Sequence, residues 1–254
     1  MIKIFRKIRY KLMSENKTSR YFKYAIGEII LVVIGILIAL QVNNINSNSK
    51  IKRSAKEHIT ILIENLKEDQ IALNDLINKL DVQLKSANSV LDYYKLKHPK
   101  SNSLLNHITE LLWELNLKSN SNGYELLVNT GEISTLSSAL QNLITGYRKH
   151  IKYIAEREFI SNTFIQDKYE NHLFDVHPHI FRKGNENTTI SEFYKDDLRK
   201  PISISDFDIK NDRKLESLIF GRRFQVSQQL EAYKNGYKLG GELISKLQKI
   251  AIDD

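Results

Sequence analysis

Residues 59–94 read ITILIENLKEDQIALNDLINKLDVQLKSANSVLDYY, a run without Gly or Pro. One register in it carries Ile59, Leu66, Leu73, Leu80, Ala87 and Tyr94, every seventh residue. A second carries Leu62, Asp69, Leu76, Gln83 and Val90, and a third Ile63, Gln70, Ile77, Leu84 and Leu91. Side chains repeating at that period share one face of an α-helix. Ser54-Ala55-Lys56-Glu57 has the form of a capping box and Pro99 follows the last apolar position, so the spacing predicts one helix of about 44 residues between them. Three registers make a stripe wider than a two-stranded seam, which favours several helices packed together over a simple coiled coil.

Downstream, Leu104, Leu105, Ile108, Leu111, Leu112 and Leu115 predict a second helix over about 103–117. A short third follows Asn122-Gly123 and stops at Thr130-Gly131, with Gly as the stop signal. Leu136, Leu140, Leu143, Tyr147, Ile151 and Ile154 predict a fourth from about Ser134 to Tyr169. Residues 170–205 hold two of the three prolines and read as irregular, with a short helix capped at Thr189. Val226, Leu230, Tyr233, Tyr237, Gly240, Ile244 and Leu247 predict a last helix over about 212–250. The expected fold is all-α: long helices in an antiparallel bundle over 54–254, since pairing the stripes buries them at little cost.

Upstream, 43–53 begins with the Asn/Ser-rich NNINSNS and reads as a polar linker, either a hinge or a frayed helix. Before it stands YAIGEIILVVIGILIALQV, residues 24–42, about 28 Å long as a helix against a hydrocarbon core of about 30 Å. Residues 1–23 hold eight basic side chains and one acid, so they carry almost all of the net charge of +8. That asymmetry places the tail in the cytoplasm and the domain on the far side of the inner membrane, in the periplasm of a Gram-negative cell. It also argues against nucleic-acid binding, which needs basic charge on the folded domain. A cleaved signal peptide is disfavoured by the length of the basic region and by the lack of an A-x-A site after the apolar run.

Within 1–23, Ile2, Phe5, Ile8 and Leu12 share a face, and Arg6, Lys7, Arg9, Lys11, Arg20 and Lys23 suit anionic lipid headgroups. In the span, Gly27, Gly35 and Ala39 recur at multiples of four, a spacing that permits close helix packing. Expected partners are therefore the bilayer and either a second copy or another membrane or periplasmic protein. Glu28 is the polar residue of the span, about one turn in from Tyr24. Snorkelling towards the basic cluster or bonding to Tyr24, an inter-subunit contact, and ion coupling in a sensor all suit it.

The opening 2–46 resembles an uncharacterised family of flavobacterial membrane proteins, known as a domain of unknown function. The family begins I-x-x-F-R-x-I-R, passes S-E-N-K, and continues Y-A-I-G-E-I-x-L-V-V-I-G-I-L-I-A-L-Q-x-N-N-W-N. Glu28 falls on the family's Glu, and Ile45 stands where Trp is usual. YELLVNTGEI at 124–133 is similar to the family's Y-x-x-L-x-x-S-G, with Asn129-Thr130 where small hydroxyl residues are usual. The resemblance implies a single-pass protein with a helical extracytoplasmic domain, and it implies no activity.

Signals for chemistry are sparse. With no Cys there is no disulfide, thiolate metal site or Cys nucleophile. No His follows a Glu by three, and phosphate loops, G-x-S-x-G and H-E-x-x-H do not occur. No enzyme and no cofactor are expected. HLFDVHPHIF offers His172, Asp175, His177 and His179 as metal donors within one loop. Structural zinc sites draw ligands from two elements, so turn residues are the simpler reading. Gly221-Arg222-Arg223-Phe224 is a basic spot with an aromatic that suits lipid headgroups or an acidic partner, and a solvated helix surface is the simpler reading.

Overall fold

The computed structural model describes Tyr10 and residues 18–96, 102–201 and 209–252. The expected headgroup residues Arg6, Lys7, Arg9 and Lys11, and the stop at Pro99, lie outside the described residues; of Arg20 only the backbone is described. Among the described residues the regular structure is helical and no strand occurs. We label the α-helices α1 (Thr18–Leu96), α2 (Asn102–Glu110), α3 (Asn122–Asn129), α4 (Ser138–Phe164), α5 (Asn171–Val176), α6 (Thr188–Phe193) and α7 (Arg213–Ile252). A π-helical turn, Ile165–Glu170, joins α4 to α5, and 3₁₀ turns occupy Glu132–Thr135 and Pro178–Phe181. The chain divides into two compact units, 1–56 and 57–254.

In the first unit α1 is uninterrupted through 43–56, so no helix begins at Ser54. A capping box starts a helix only where the preceding backbone leaves helical geometry, and here it does not. The polar run is compatible with the helix because Ser49 Oγ donates to the Ile45 carbonyl at 2.9 Å, bonding back one turn.

In the second unit, the 57–96 part of α1 buries the predicted stripe. Ile59, Leu66, Leu73, Leu80 and Ala87 are buried, as are Leu62, Leu76 and Val90. Ile59, Leu62, Ile63 and Leu66 pack with Leu127 of α3, Leu140, Ile144 and Tyr147 of α4, and Leu243 and Leu247 of α7. Leu73, Leu76 and Leu80 pack with Leu115, Ile154, Val226, Leu230 and Tyr233. Ala87, Val90, Leu91 and Tyr93 pack with α2, Tyr169, Leu173, Ile180, Ile209, Leu215 and Ile219. Along α4 and α7 the contacts pair Ser161 with Arg222 at 2.6 Å, Arg157 with Gln225 at 2.9 Å, and His150 with the Ala232 carbonyl at 2.8 Å. One number falls as the other rises.

Helix α2 ends at Glu110, seven residues before the predicted stop, and an irregular segment leads to α3. Buried side chains of the long helices supply the bonds that a continued helix would have made. Arg222 Nε donates to Leu111 O at 3.1 Å, Gln83 Nε2 to Trp113 O at 2.9 Å and Gln229 Nε2 to Leu115 O at 3.4 Å. The Leu117 amide donates to Glu158 at 2.7 Å, Ser119 Oγ to Asp69 at 2.8 Å, and the Gly123 amide to Asn65 at 2.9 Å. Buried backbone groups need partners, and apart from the bond between the Ser119 and Asp69 side chains these contacts supply them. Asp69 and Gln83, the polar interruptions of the second register, are thereby accounted for.

Candidate functional site

Helix α5 carries His172, and the chain turns at His177 before Pro178. Both imidazole Nε2 atoms lie 2.6 Å from one atom, Oδ2 of Asp212, which immediately precedes α7. A carboxylate only accepts, so both rings donate from Nε2. The other carboxylate oxygen, Oδ1, accepts from the Leu215 amide at 2.8 Å and caps α7. The histidine side chains are 5% exposed and the Asp212 side chain 11%. The three donor atoms lie within 4.8 Å of one another.

The surrounding backbone fixes His177 and Asp212. The His177 amide donates to Leu173 O at 2.9 Å, and the Asp212 amide to Ile209 O at 3.1 Å. Tyr94 at the end of α1 donates its hydroxyl to Ile209 O at 2.9 Å. Burial pushes His177 below its ordinary value, against the Asp212 carboxylate, so the ring is neutral at physiological pH. Burial also works to raise the Asp212 carboxyl, but the Leu215 amide and the two imidazoles outweigh it and hold it below the usual carboxylate range. A neutral imidazole beside an ionised carboxylate is the charge state that metal coordination requires.

Of the four residues singled out in HLFDVHPHIF, the fold brings together His172 and His177. Asp175 is exposed and His179 half-buried, and neither joins the cluster. The third member, Asp212, comes from a segment far along the chain. Its own sequence signal is only that of a residue placed to cap the last helix.

Arg222 overturns the reading of Gly221–Phe224 as a solvated surface. Its side chain is fully buried and donates to Leu111 O, Ser161 Oγ, Gln83 Oε1 and Trp113 O. None of those acceptors is a carboxylate, and burial pushes the guanidinium down to about 10. Its neighbour Arg223 bonds Asn88 at 2.7 Å, and Phe224 is exposed. Elsewhere in the helical unit, burial raises the carboxyls of Glu158 and Asp69 despite their hydrogen bonds to Tyr233 and the Leu117 amide, and to Ser119 and Tyr147.

In the first unit, the large apolar side chains from Ile26 to Val42 are 47–63% exposed. Among the described residues this is the one helix long and apolar enough to cross a membrane. Lys23, Gly27, Gly35 and Ala39 are exposed and Glu28 is half-buried. A Cβ built on Gly27 or Gly35 meets nothing within 4 Å. The expected bond from Glu28 to Tyr24 falls on a side chain outside the described set.

A family model, the family of unknown function DUF6090, matches residues 28–188, more than half of the chain. The chain belongs to DUF6090. The DUF6090 match takes in Glu28, His172 and His177, while Asp212 and α7 lie beyond it. No curated protein and no solved structure matches the chain.

Proposed function

We propose that the protein is a membrane-anchored interaction protein of the inner membrane, with no reaction of its own. The observation that carries this reading is the uncovered apolar stretch of α1. Each Val, Leu or Ile left in water forgoes about 1.5–3 kcal/mol, and twelve of them stand in succession from Ile26 to Val42. A bilayer would remove that penalty at once. The basic tail, with Arg6, Lys7, Arg9, Lys11, Arg20 and Lys23, supports a cytoplasmic N-terminus held at anionic headgroups.

Residues 57–254 then form an antiparallel helical bundle in the periplasm, a reading supported by the opposed pairs along α4 and α7. Phe159, Phe220 and Phe224 stand 55–73% exposed on those helices and suit a protein partner. The uncovered small residues Gly27, Gly35 and Ala39 suit close packing with a second copy.

The full chain, expressed in a Gram-negative host, should stay in the membrane pellet through alkaline carbonate extraction. In spheroplasts, external protease should digest 57–254 and spare the tail. Carbonate-soluble protein, or a domain cut only after lysis, would overturn the anchored topology. Crosslinking in intact membranes should yield a dimer that Gly35→Leu weakens; monomer alone in both would count against self-association.

A further inference from the structure

We propose that His172, His177 and Asp212 form a binding site for one divalent transition-metal ion of the zinc type. Helix capping explains only part of the cluster. Asp212 Oδ1 alone satisfies the Leu215 amide, and a cap has no need of two buried imidazoles. They converge instead on Oδ2, from α5 and the turn that ends it, 35–40 residues earlier in the chain. The ligands thus come from two separate segments, as structural metal sites require and as the sequence alone did not reveal.

The donor set selects the metal. Two imidazole nitrogens and one carboxylate oxygen suit Zn²⁺, Co²⁺ or Ni²⁺. Mg²⁺ and Ca²⁺ prefer all-oxygen shells. Coordination replaces the two N–H···O bonds: each ring moves its proton to Nδ1 and offers the Nε2 lone pair. Metal–ligand bonds of about 2.0–2.1 Å in a tetrahedron set donor atoms about 3.3 Å apart. The present 2.6 Å contacts therefore open by side-chain rotation, with the backbone bonds at His177 and Asp212 kept. Oδ1 stays on the Leu215 amide, so Asp212 binds through one oxygen, and the remaining positions fall to solvent or an added ligand.

The test uses the full chain in detergent, with a tag free of histidine, stripped with EDTA and titrated with ZnCl2. One zinc per chain should bind and raise the Tm, since a ligand that binds only the folded state stabilises it; MgCl2 should not. Asp212→Asn, which retains the capping oxygen, and His177→Gln should weaken zinc binding by more than about 100-fold. Asp175→Asn and His179→Gln should bind as the unaltered chain does. X-ray absorption at the zinc edge of the unaltered protein should show two imidazoles with an oxygen shell, and this holds whether or not the variants fold. Absence of stoichiometric zinc, unchanged affinity in folded Asp212→Asn, or a different imidazole count would overturn the site.

Discussion

At the scale of single residues, Arg222 is the most consequential side chain of the helical unit. It is a cation sealed from water whose bonded partners are all neutral, so its charge is stabilised by the geometry of four acceptors. A lysine retains the charge but cannot reproduce the planar fork. Arg222→Lys should destabilise by about 2–3 kcal/mol, the worth of charged hydrogen bonds lost in a dry site. Arg222→Met should destabilise too, because it strands the Leu111 and Ser161 acceptors. Thermal unfolding in detergent, followed by circular dichroism, measures both. A neutral result for either would show that the 111–117 segment has other support.

At the scale of elements, the interface between α3 and α1 rests on the lack of a side chain at Gly123. A Cβ there would lie 2.4 Å from the Leu62 backbone nitrogen, and backbone cannot step aside as a side chain tip can. Gly123→Ala should force α3 outwards, break the 2.9 Å bond to Asn65 and destabilise by about 1–3 kcal/mol. Gly146, exposed within α4 and meeting nothing within 4 Å, gives the opposite expectation. Gly146→Ala should stabilise by about 0.5–1 kcal/mol through helix propensity alone. Thermal midpoints of the two variants should move in opposite directions.

The same elements show what periodicity can reveal. The register Ile59 to Ala87 and the stop at Gly131, which takes φ +75, were legible because each depends on neighbours in sequence. The end of α2 was not legible, since Leu111 and Leu115 continue its apolar spacing while the groups that hold the non-helical chain come from Gln83, Glu158, Arg222 and Gln229. Two of the three members of the histidine cluster were legible for the same reason. His172 and His177 are near neighbours, whereas Asp212 meets them only after the chain has turned back. The helix start at Ser54 misled differently, because a capping-box pattern is equally compatible with a helix already under way.

At the scale of the whole molecule, charge is divided by position. The basic excess sits in the first residues, and the remainder is nearly balanced, yet Asp69 and Glu158 keep carboxyls in the core of the helical unit. Burial raises both above their ordinary values, so the folded state holds these protons more tightly than the unfolded chain does. Through these groups stability is greatest in acid, declines as the pH rises from about 4 through each raised value, and is level above it. Asp212 works in the opposite sense, its depressed value adding stability that is lost as the pH falls. Comparing Glu158→Gln with the unaltered chain cancels every group but one. Gln keeps an acceptor for the Leu117 amide and the Tyr233 hydroxyl, and it does not ionise. The variant should therefore gain thermal stability relative to the unaltered chain as the pH is raised from 4 to 8, with the gain vanishing at the acid end. A difference in Tm that is flat across that range would mean that Glu158 is not desolvated in the folded protein. A difference that grows towards acid would mean that the carboxylate, rather than the acid, is the form the fold holds.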